Sequence, residues 1–290
     1  MQKHKLVIII VTFNSEKYIG ECIHSIIESK ISKSNYTILV VDNHSKDNTV
    51  VKVKSYAKKF QNILIIENKC NVGFAKAVNA GVRYLESSEY FLLLNPDTIC
   101  DSTTIKELLN CAKKNKAGIV GGNTFDNKGV QSGSYFRLPN LMVGIFDFTN
   151  LRKAFPSDYW HKYFYYQNSD LSKLSDFPVE VVTGGFMLIA KETIDKIGLL
   201  DERYFMYLED VDYCLRAREQ RIKIVHSNKS KIIHFSGRSS NNRDRIRHTS
   251  WMWSRKMYYL KNFGLLPNML LQPIFLLDDL YILGKMFIKK

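Results

Sequence analysis

The sequence predicts an α/β protein with a central, mostly parallel sheet flanked by helices and a helical appendage at its C-terminus. First, residues 6–11 form a continuous run of branched apolar residues, which is typical of a strand covered on both faces. Second, strand-like and helix-like segments alternate as far as residue 94, which implies right-handed crossovers between parallel strands. Third, a polar cluster follows each predicted strand, where ligands bind in open sheets.

The individual elements follow from hydrophobic periodicity and from the residues at helix ends. The first half contains strands at 6–11, 37–41, 63–67 and 90–94 and helices at 15–29, 47–60 and 73–86. Residues 120–166 are less regular and rich in aromatic residues, Gly and Asn, which indicates an insertion or a substrate-facing region. Regular structure is expected again at 179–188, in a helix from 191, in a helix from 209 and in a strand near 223–225.

At 290 residues the chain is long enough for one large α/β domain with an appendage. We predict that residues 1–245 form this domain and that 246–290 form an amphipathic helical region. Hydrophobic residues make up 45% of the chain and charged residues 24%, which are ordinary values for a folded globular protein.

The cysteines and the N-terminus both bear on the compartment. The five cysteines are widely spaced without a C-x-x-C pair, which predicts neither a disulfide framework nor a zinc site and favours a reducing cytoplasm. The N-terminal apolar run is too short for a signal peptide and lacks a small-residue cleavage site, so we interpret it as the first strand.

The positive charge is concentrated in one block. The net charge is +14, and from Arg216 to Lys261 there are 13 Lys and Arg against 2 acidic residues. Such a block attracts the phosphates of a nucleotide, a nucleic acid or an anionic membrane surface.

Four polar clusters after the predicted strands are expected to build one pocket. They comprise Thr12, Phe13 and Asn14; Asp42 and Asn43; Asn71 and Gly73; and Asn95 and Asp97. Asp97, in a turn fixed by Pro96, is suited to a hard divalent cation, and helix capping is the alternative. Asp42 is suited to a nucleobase or ribose hydroxyl, with an ordinary turn as the alternative.

Gly73 precedes a predicted helix on which Asn79 lies. A helix N-terminus behind a glycine favours a closely approaching phosphate, although packing is the commoner role of such a glycine. The segment is neither a G-x-G-x-x-G fingerprint nor a P-loop, which argues against a dehydrogenase or a kinase.

Glu209, Asp210 and Asp212 crowd the start of a predicted helix, downstream of Gly184 and Gly185. Crowded carboxylates raise one another's pKa, and a general base must take a proton from an attacking hydroxyl. The alternative is that they only complement the helix dipole.

His234 lies inside the basic block, near Arg238. A neutral imidazole at this position could ligate a metal or hydrogen-bond a diphosphate, with a structural histidine as the alternative.

The C-terminal region interleaves aromatic and basic residues before a long apolar stretch. Asp278, Asp279 and two prolines interrupt that stretch, so we do not expect a membrane-spanning helix. Interfacial helices on an anionic leaflet fit the composition, and a helical pair packed on the core or on a second subunit is the alternative.

In order, these motifs resemble the family 2 glycosyltransferases, specifically the branch similar to bacterial rhamnosyltransferases. The resemblance covers about residues 6–240 through VTFN, VVDNHS, NVGFAKAVNAG, LLNPDT, GGFMLI, GLLDERYFMYLEDVDYCLR and HFSGRSS. It implies a GT-A type, Rossmann-like fold, with a nucleotide-binding half at 1–118 and an acceptor and catalytic half at 119–245.

The resemblance also implies residue roles in an inverting sugar transfer. Thr12 and Asp42 would hold the base and ribose, Asp97 would bind Mg²⁺ or Mn²⁺, and His234 would assist at the metal and diphosphate. Asp210 would be the general base, with Glu209 in reserve. The nucleotide-sugar site would further include Phe13, Asn14, Asn43, Asn71, Gly73, Asn79, Asn95, Gly184, Gly185 and Arg238.

Two positions depart from many relatives. Asn95 stands where many have Asp, and Val78 stands where many have Arg. Phosphate contacts are therefore expected from the basic block.

The implied donor is dTDP-rhamnose, or another dTDP- or UDP-linked sugar, and the acceptor is a hydroxyl of a cell-surface glycan or a polyprenyl-linked glycolipid. Galactofuranosyl, glucosyl or other hexosyl transfer is the alternative. An enzyme making nucleotide sugars would need a Gly-rich basic loop after the first strand, and a nucleic-acid-binding module would leave the carboxylates unexplained. We expect a cytoplasmic protein at the inner face of the cell membrane, as a monomer or homodimer.

Overall fold

The structure is a computed structural model that describes residues 5–32, 35–153, 158–167, 171, 174–235 and 241–288. Its first half alternates strands with helices, as the sequence predicts. The elements are β1 (Leu6–Thr12), α1 (Ile19–Ile27), β2 (Tyr36–Asp42), α2 (Thr49–Lys59), β3 (Ile63–Glu67), α3 (Phe74–Tyr84), β4 (Tyr90–Leu94), β5 (Thr98–Cys100) and α4 (Thr104–Asn115). The main difference is α1, which begins four residues later than predicted because residues 15–18 form a turn.

The second half is more irregular. Its elements are β6 (Ile119–Phe125), β7 (Gln131–Ser132), β8 (Tyr135–Phe136), α5 (Leu141–Phe146), α6 (Tyr159–Phe164), β9 (Asp176–Pro178), β10 (Val181–Val182), β11 (Phe186–Ala190), α7 (Lys191–Ile197), α8 (Glu209–Glu219), β12 (Ile224–His234), α9 (Asn241–Asn262) and α10 (Leu265–Ile288). The regular structure expected at 179–188 consists of the short strand β10 and the first part of β11, and the strand predicted near 223–225 extends to His234.

The central sheet has the order β3-β2-β1-β4-β11-β6-β12-β5. Strands β1 to β4 pair in parallel, as do β6 and β12, whereas β11 runs antiparallel between β4 and β6. The mostly parallel sheet is therefore confirmed. The parallel strands bring the ends of β1, β2 and β4 to one edge, next to the start of β11.

Helices cover both faces of this sheet, because successive side chains of a strand point to opposite faces. Leu6, Ile8 and Ile10 of β1 pack in a core with α1 and α4. Val7 and Ile9 pack on the other face in a core with α3 and α8. This two-sided burial explains why the strand is apolar throughout.

The C-terminal region is a helical hairpin, α9 followed by α10, and α10 also packs against α5. The charges and prolines of the apolar stretch do not break the helix, since α10 is continuous over 24 residues with Pro273 inside it. Asp278 and Asp279 lie on its buried face and both pair with Arg255, whose side chain is fully buried. The carboxylates therefore join α10 to α9 and are not exposed to solvent.

The basic block is less positive at the surface than its sequence indicates. Arg216 and Lys261 pair with Asp212, Lys261 also pairs with Asp201, and Lys256 pairs with Asp279. These cations therefore neutralise carboxylates of the fold.

Candidate active site

A cavity of about 550 Å³ opens at the sheet edge beside the ends of β1 and β4. We call it the larger cavity. The predicted residues that line it are Phe13, Asn95, Asp97, Gly185, Glu209, Asp210 and His234. The first half of the chain and α8 thus contribute to one space, as the sequence predicts.

A second space of about 220 Å³ adjoins it, and we call it the smaller cavity. The predicted residues that line it are Thr12, Phe13, Asn43, Asn71 and Gly73. Phe13, Phe74, Met206 and Arg247 line both cavities and mark their boundary. A ligand with two bulky ends joined by a narrow link would fit this pair of spaces.

Asp97 and His234 face each other in the larger cavity. The Asp97 Oδ1 atom lies 3.0 Å from His234 Nε2, and the side chains are 20% and 26% exposed. The pairing of β12 with β5, at His234 opposite Thr98, brings these distant residues together.

This pair fits a cation that is shared with a phosphate-bearing ligand. A carboxylate oxygen and an imidazole nitrogen are metal donors, and Mg²⁺ in particular is often held by one or two carboxylates together with substrate phosphates. Within the described residues there is no group of three or more His, Cys, Asp or Glu side chains able to hold a metal alone. Ligand oxygens would therefore have to complete the coordination.

The loop that leads into α8 is strained and firmly held. Tyr207 and Leu208 adopt φ angles of 74° and 64°, in the left-handed region that non-glycine residues rarely occupy. Ser254 on α9 donates a 2.8 Å hydrogen bond to the Met206 carbonyl, and Trp251 packs edge-on against Tyr207. Such strain is common at functional sites, and here it fixes the direction from which α8 presents its first carboxylates.

Asp210 is anchored by backbone donors. The Gly184 amide donates to its Oδ2 over 2.8 Å, and the Val211 amide donates to its Oδ1 over 2.8 Å. Burial raises the pKa of Asp210, and these hydrogen bonds oppose that rise by stabilising the ionised form. The two amide donors therefore favour the ionised form of a side chain that is only partly exposed.

Glu209 differs from its neighbour. Its side chain is 6% exposed, and its Oε2 has no hydrogen-bond partner among the described residues. Burial, and then the charge of Asp210, raise the pKa of Glu209 well above its ordinary value. Of the two carboxyl groups, Asp210 is thus the better suited to be an ionised base near neutral pH.

The burial of Glu209 predicts a pH-dependent gain in stability for Glu209→Gln. With its pKa raised on folding, the carboxyl group increasingly destabilises the fold as the pH rises above its unfolded value of about 4.3. We expect the variant to melt several degrees higher than the wild type at pH 8, with the gain vanishing near pH 4. Thermal melts across this range test the prediction, with Glu219→Gln on the exposed end of the same helix as the control. A pH-independent difference would contradict it.

Four predicted site residues line neither cavity: Asn14, Asp42, Asn79 and Gly184. Asp42 is 2% exposed and accepts hydrogen bonds from Thr12 and Ser45, so it ties the ends of β1 and β2 together. Asn79 is 1% exposed and is bonded to Leu200 and Glu202, which makes it a packing residue. Both side chains are thus engaged within the protein, and their direct contact with a nucleotide stays a prediction.

Two of the four act indirectly. Gly184 positions Asp210 through its amide. Asn14 accepts a 2.7 Å hydrogen bond from the Lys46 amide and so shapes the loop after β1. Arg238 and most of the HFSGRSS motif lie outside the described residues.

Gly73 lies in close contact with the backbone of Phe205. It has a φ of 87°, and a Cβ atom there would lie 2.5 Å from the Phe205 carbonyl oxygen. The next amide, that of Phe74, donates a 2.7 Å hydrogen bond to the same oxygen. Gly73 therefore joins the start of α3 to the loop before α8 while it lines the smaller cavity.

The sequence motifs did not identify the aromatic wall of the larger cavity or Arg247, the arginine that lines it among the described residues. The wall comprises Phe136, Phe148, Phe164, Tyr165 and Trp251. Most of it comes from residues 120–166, so the aromatic richness of that segment was the available signal. No feature of the sequence distinguishes Arg247 from the other cations of the basic block.

Comparison with known proteins places the chain among transferases of sugars. Residues 7–198 match the model of the family described as "Glycosyl transferase family 2". The chain is 24% identical over 254 residues to the N-acetylglucosaminyl-diphospho-decaprenol L-rhamnosyltransferase of Mycobacterium tuberculosis, which covers 84% of this chain and 80% of that protein. It is 30% identical over 145 residues to the poly(ribitol-phosphate) beta-glucosyltransferase of Bacillus spizizenii, covering 49% of this chain but 23% of that protein.

Solved structures show the same fold. The mannosyltransferase PcManGT of Pyrobaculum calidifontis, in complex with GDP-Man and Mn²⁺, superposes with a TM-score of 0.62 at 13% identity, covering 98% of this chain and 73% of that one. S. aureus TarS 1–349 in complex with UDP-GlcNAc superposes with a TM-score of 0.56 at 17% identity, covering 85% and 66% of the two chains. The predicted GT-A fold is thereby confirmed.

Proposed function

This chain belongs to glycosyl transferase family 2, and from that premise we propose that it moves a sugar from a nucleoside diphosphate to an acceptor hydroxyl with inversion at the anomeric carbon. The observation that carries the proposal is that Asp97, His234 and Asp210 line one cavity. A pair of side chains suited to a divalent cation and a potential base are thus available to the same bound donor.

The proposed chemistry assigns one task to each side of the donor. Asp210 accepts the proton of the attacking hydroxyl on the face opposite the departing diphosphate, which gives single displacement. Asp97 and His234 would hold a divalent cation, Mg²⁺ or Mn²⁺, that neutralises charge on the diphosphate when bound. The smaller cavity, with Asn43 and Asn71, would take the nucleoside.

For the donor sugar we propose rhamnose from dTDP-rhamnose, with UDP-linked hexoses as the alternative. The similar mycobacterial protein is named as an L-rhamnosyltransferase with a polyprenyl-linked acceptor, which supports this choice. The Haloferax volcanii hexosyltransferase Agl10, 27% identical over 232 residues, supports the wider hexosyl alternative. The aromatic wall of the larger cavity is suited to packing against the apolar face of an acceptor sugar.

A panel of nucleotide sugars tests this proposal. We expect dTDP-rhamnose or one of the UDP-hexoses to release its nucleoside diphosphate in the presence of Mn²⁺ and a glycan or lipid-linked acceptor. The product should carry the inverted anomeric configuration by NMR. Retention of configuration, or no turnover with any donor, would contradict the proposal.

We also propose that α10 rests on an anionic membrane surface, close to a lipid-linked acceptor. Its outer face is an apolar stripe of Leu265, Leu266, Met269, Leu270, Leu276, Leu277, Leu280 and Tyr281, each between 47% and 79% exposed. Over Leu265–Met286, α10 has a mean hydropathy of 1.2 and is long and apolar enough to cross a membrane by length and composition alone, with 28% of that window buried. The opposite face of α10 is bound to α9 through the ion pairs of Arg255 with Asp278 and Asp279. A position of α10 on the membrane surface is therefore favoured over a membrane-spanning one.

Substitutions on the stripe test this placement without exposing the core. Truncation near residue 250 is unsuitable, because it would remove the buried Tyr258 and Tyr259. We expect the triple variant Leu266→Gln, Leu270→Gln and Leu277→Gln to reduce co-sedimentation with phosphatidylglycerol vesicles by about tenfold or more, since each leucine contributes roughly 1.5 kcal/mol or more when buried.

The control is Val51→Gln on α2, a residue that is 65% exposed and distant in sequence from the hairpin. It should leave vesicle binding unchanged. Loss of a dimer in the triple variant, with vesicle binding unaffected, would identify the stripe as a contact between two subunits and would contradict the membrane placement.

A further inference from the structure

We infer that Arg247 of α9 binds the diphosphate of the donor, so that the C-terminal hairpin completes the donor site. The inference rests on the proposed function. It adds a residue that lies well beyond residues 7–198, the segment that matches the family.

Arg247 lies at the boundary between the two cavities. A nucleotide sugar placed with its nucleoside in the smaller cavity and its sugar in the larger one must pass its diphosphate across their boundary. The residues that line both cavities are Phe13, Phe74, Met206 and Arg247. Arg247 is the one charged residue among them.

The site needs a positive charge to offset its carboxylates and the diphosphate. The larger cavity already contains the carboxyl groups of Asp97, Glu209 and Asp210, and a diphosphate adds further negative charge. Within the described part of the chain, Arg247 is the only Lys or Arg that lines either cavity. An Arg guanidinium is always protonated and can donate two parallel hydrogen bonds to phosphate oxygens.

Arg247 is held in place by the loop that leads into α8. Its Nε donates a 3.1 Å hydrogen bond to the hydroxyl of Tyr207, which itself lines the larger cavity. Trp251, one helical turn later, lines the same cavity and packs against the ring of Tyr207. One face of α9 therefore brings both side chains to the site.

Calorimetric titration of the full chain with UDP, dTDP and the corresponding nucleosides, all with Mn²⁺ present, tests the inference. Using the diphosphate that the wild type binds more tightly, we expect Arg247→Met to weaken binding roughly 10- to 100-fold, as for the loss of hydrogen bonds to a charged group. Affinity for the nucleoside, which lacks phosphate, should remain unchanged. Arg247→Lys should recover part of the loss.

Arg245→Met is the matched control, because Arg245 is exposed on the same helix and lines neither cavity. It should bind the diphosphate like the wild type. Equal weakening of the nucleoside and the diphosphate in Arg247→Met, or no weakening of either, would overturn the inference alone. Failure of the wild type to bind UDP or dTDP would instead refute the proposed function on which it rests.

Discussion

Asp210→Asn is expected to lower the turnover number by about 10²- to 10⁴-fold, the range typical for loss of a general base. The amide preserves the size of the side chain but cannot accept a proton from the attacking hydroxyl. The measurement is nucleoside diphosphate release from a saturating donor in the presence of acceptor. Affinity for the nucleoside diphosphate should remain within a fewfold of the wild type, because the proposed donor contacts lie elsewhere in the cavities.

Glu209→Gln provides the matched comparison, since it makes the same change one residue earlier on α8. Burial and the charge of Asp210 raise the pKa of Glu209 well above its ordinary value, so Glu209 keeps its proton more readily than an ordinary carboxyl group and is less available as a base. We therefore expect most of the turnover to remain. The reverse ranking of the two variants would make Glu209 the base. The wild-type rate should also fall as the pH drops through the pKa of Asp210, which burial raises above the ordinary Asp value.

Asp97→Asn is expected to remove most of the effect of Mn²⁺ on donor binding and to lower turnover about 100-fold or more, because several kcal/mol of charge stabilisation depend on a held cation. Affinity for the nucleoside diphosphate should be measured with Mn²⁺ and with excess chelator. The wild type should show a large difference between the two conditions, and the variant a small one.

Asp101→Asn is the control for this change. Asp101 lies four residues further along, lines neither cavity and accepts hydrogen bonds from Thr103 at the start of α4. Its variant should retain the full response to Mn²⁺. An unchanged response in Asp97→Asn would show that the cation is bound by other groups.

Much of the fold is predictable from the sequence because the determining signals are local. The apolar runs of β1 and β4 and the periodicity of α3 identify these elements with small errors at their ends. The convergence of Phe13 with Asp97 is also predictable, since both follow parallel strands whose ends meet at one edge of the sheet. Asp210 begins a helix, and no strand end predicts that it joins them. His234 joins Asp97 through the long strand β12, whose extent the sequence underestimates.

The parts that could not be predicted depend on pairings between distant residues. In the sequence, Asp278 and Asp279 suggest that charges interrupt the apolar segment. In the structure, Arg255, which lies more than twenty residues earlier, pairs with both carboxylates in the protein interior. Likewise, Asn79 has the sequence position of a ligand-binding residue, yet its amide bonds to the loop at Leu200. Neither partner is indicated by the local pattern around the residue.

Arg247 illustrates the same limit within the site. Among the many cations of the basic block, no local feature separates it from Arg245. Only the packing of α9 against the Tyr207 loop gives one of them access to both cavities. Side-chain identity is thus a weaker guide to the donor site than the position of the element that carries it.

We propose that one cavity brings the cation, the diphosphate and the base together. Diffraction from crystals grown with Mn²⁺ and the nucleoside diphosphate that binds most tightly, recorded at the manganese absorption edge, tests it most directly. We predict one anomalous peak that contacts Asp97, His234 and a phosphate oxygen in the cavity that Asp210 lines. A manganese ion or a nucleotide bound at a place that none of these three residues reaches would contradict the claim.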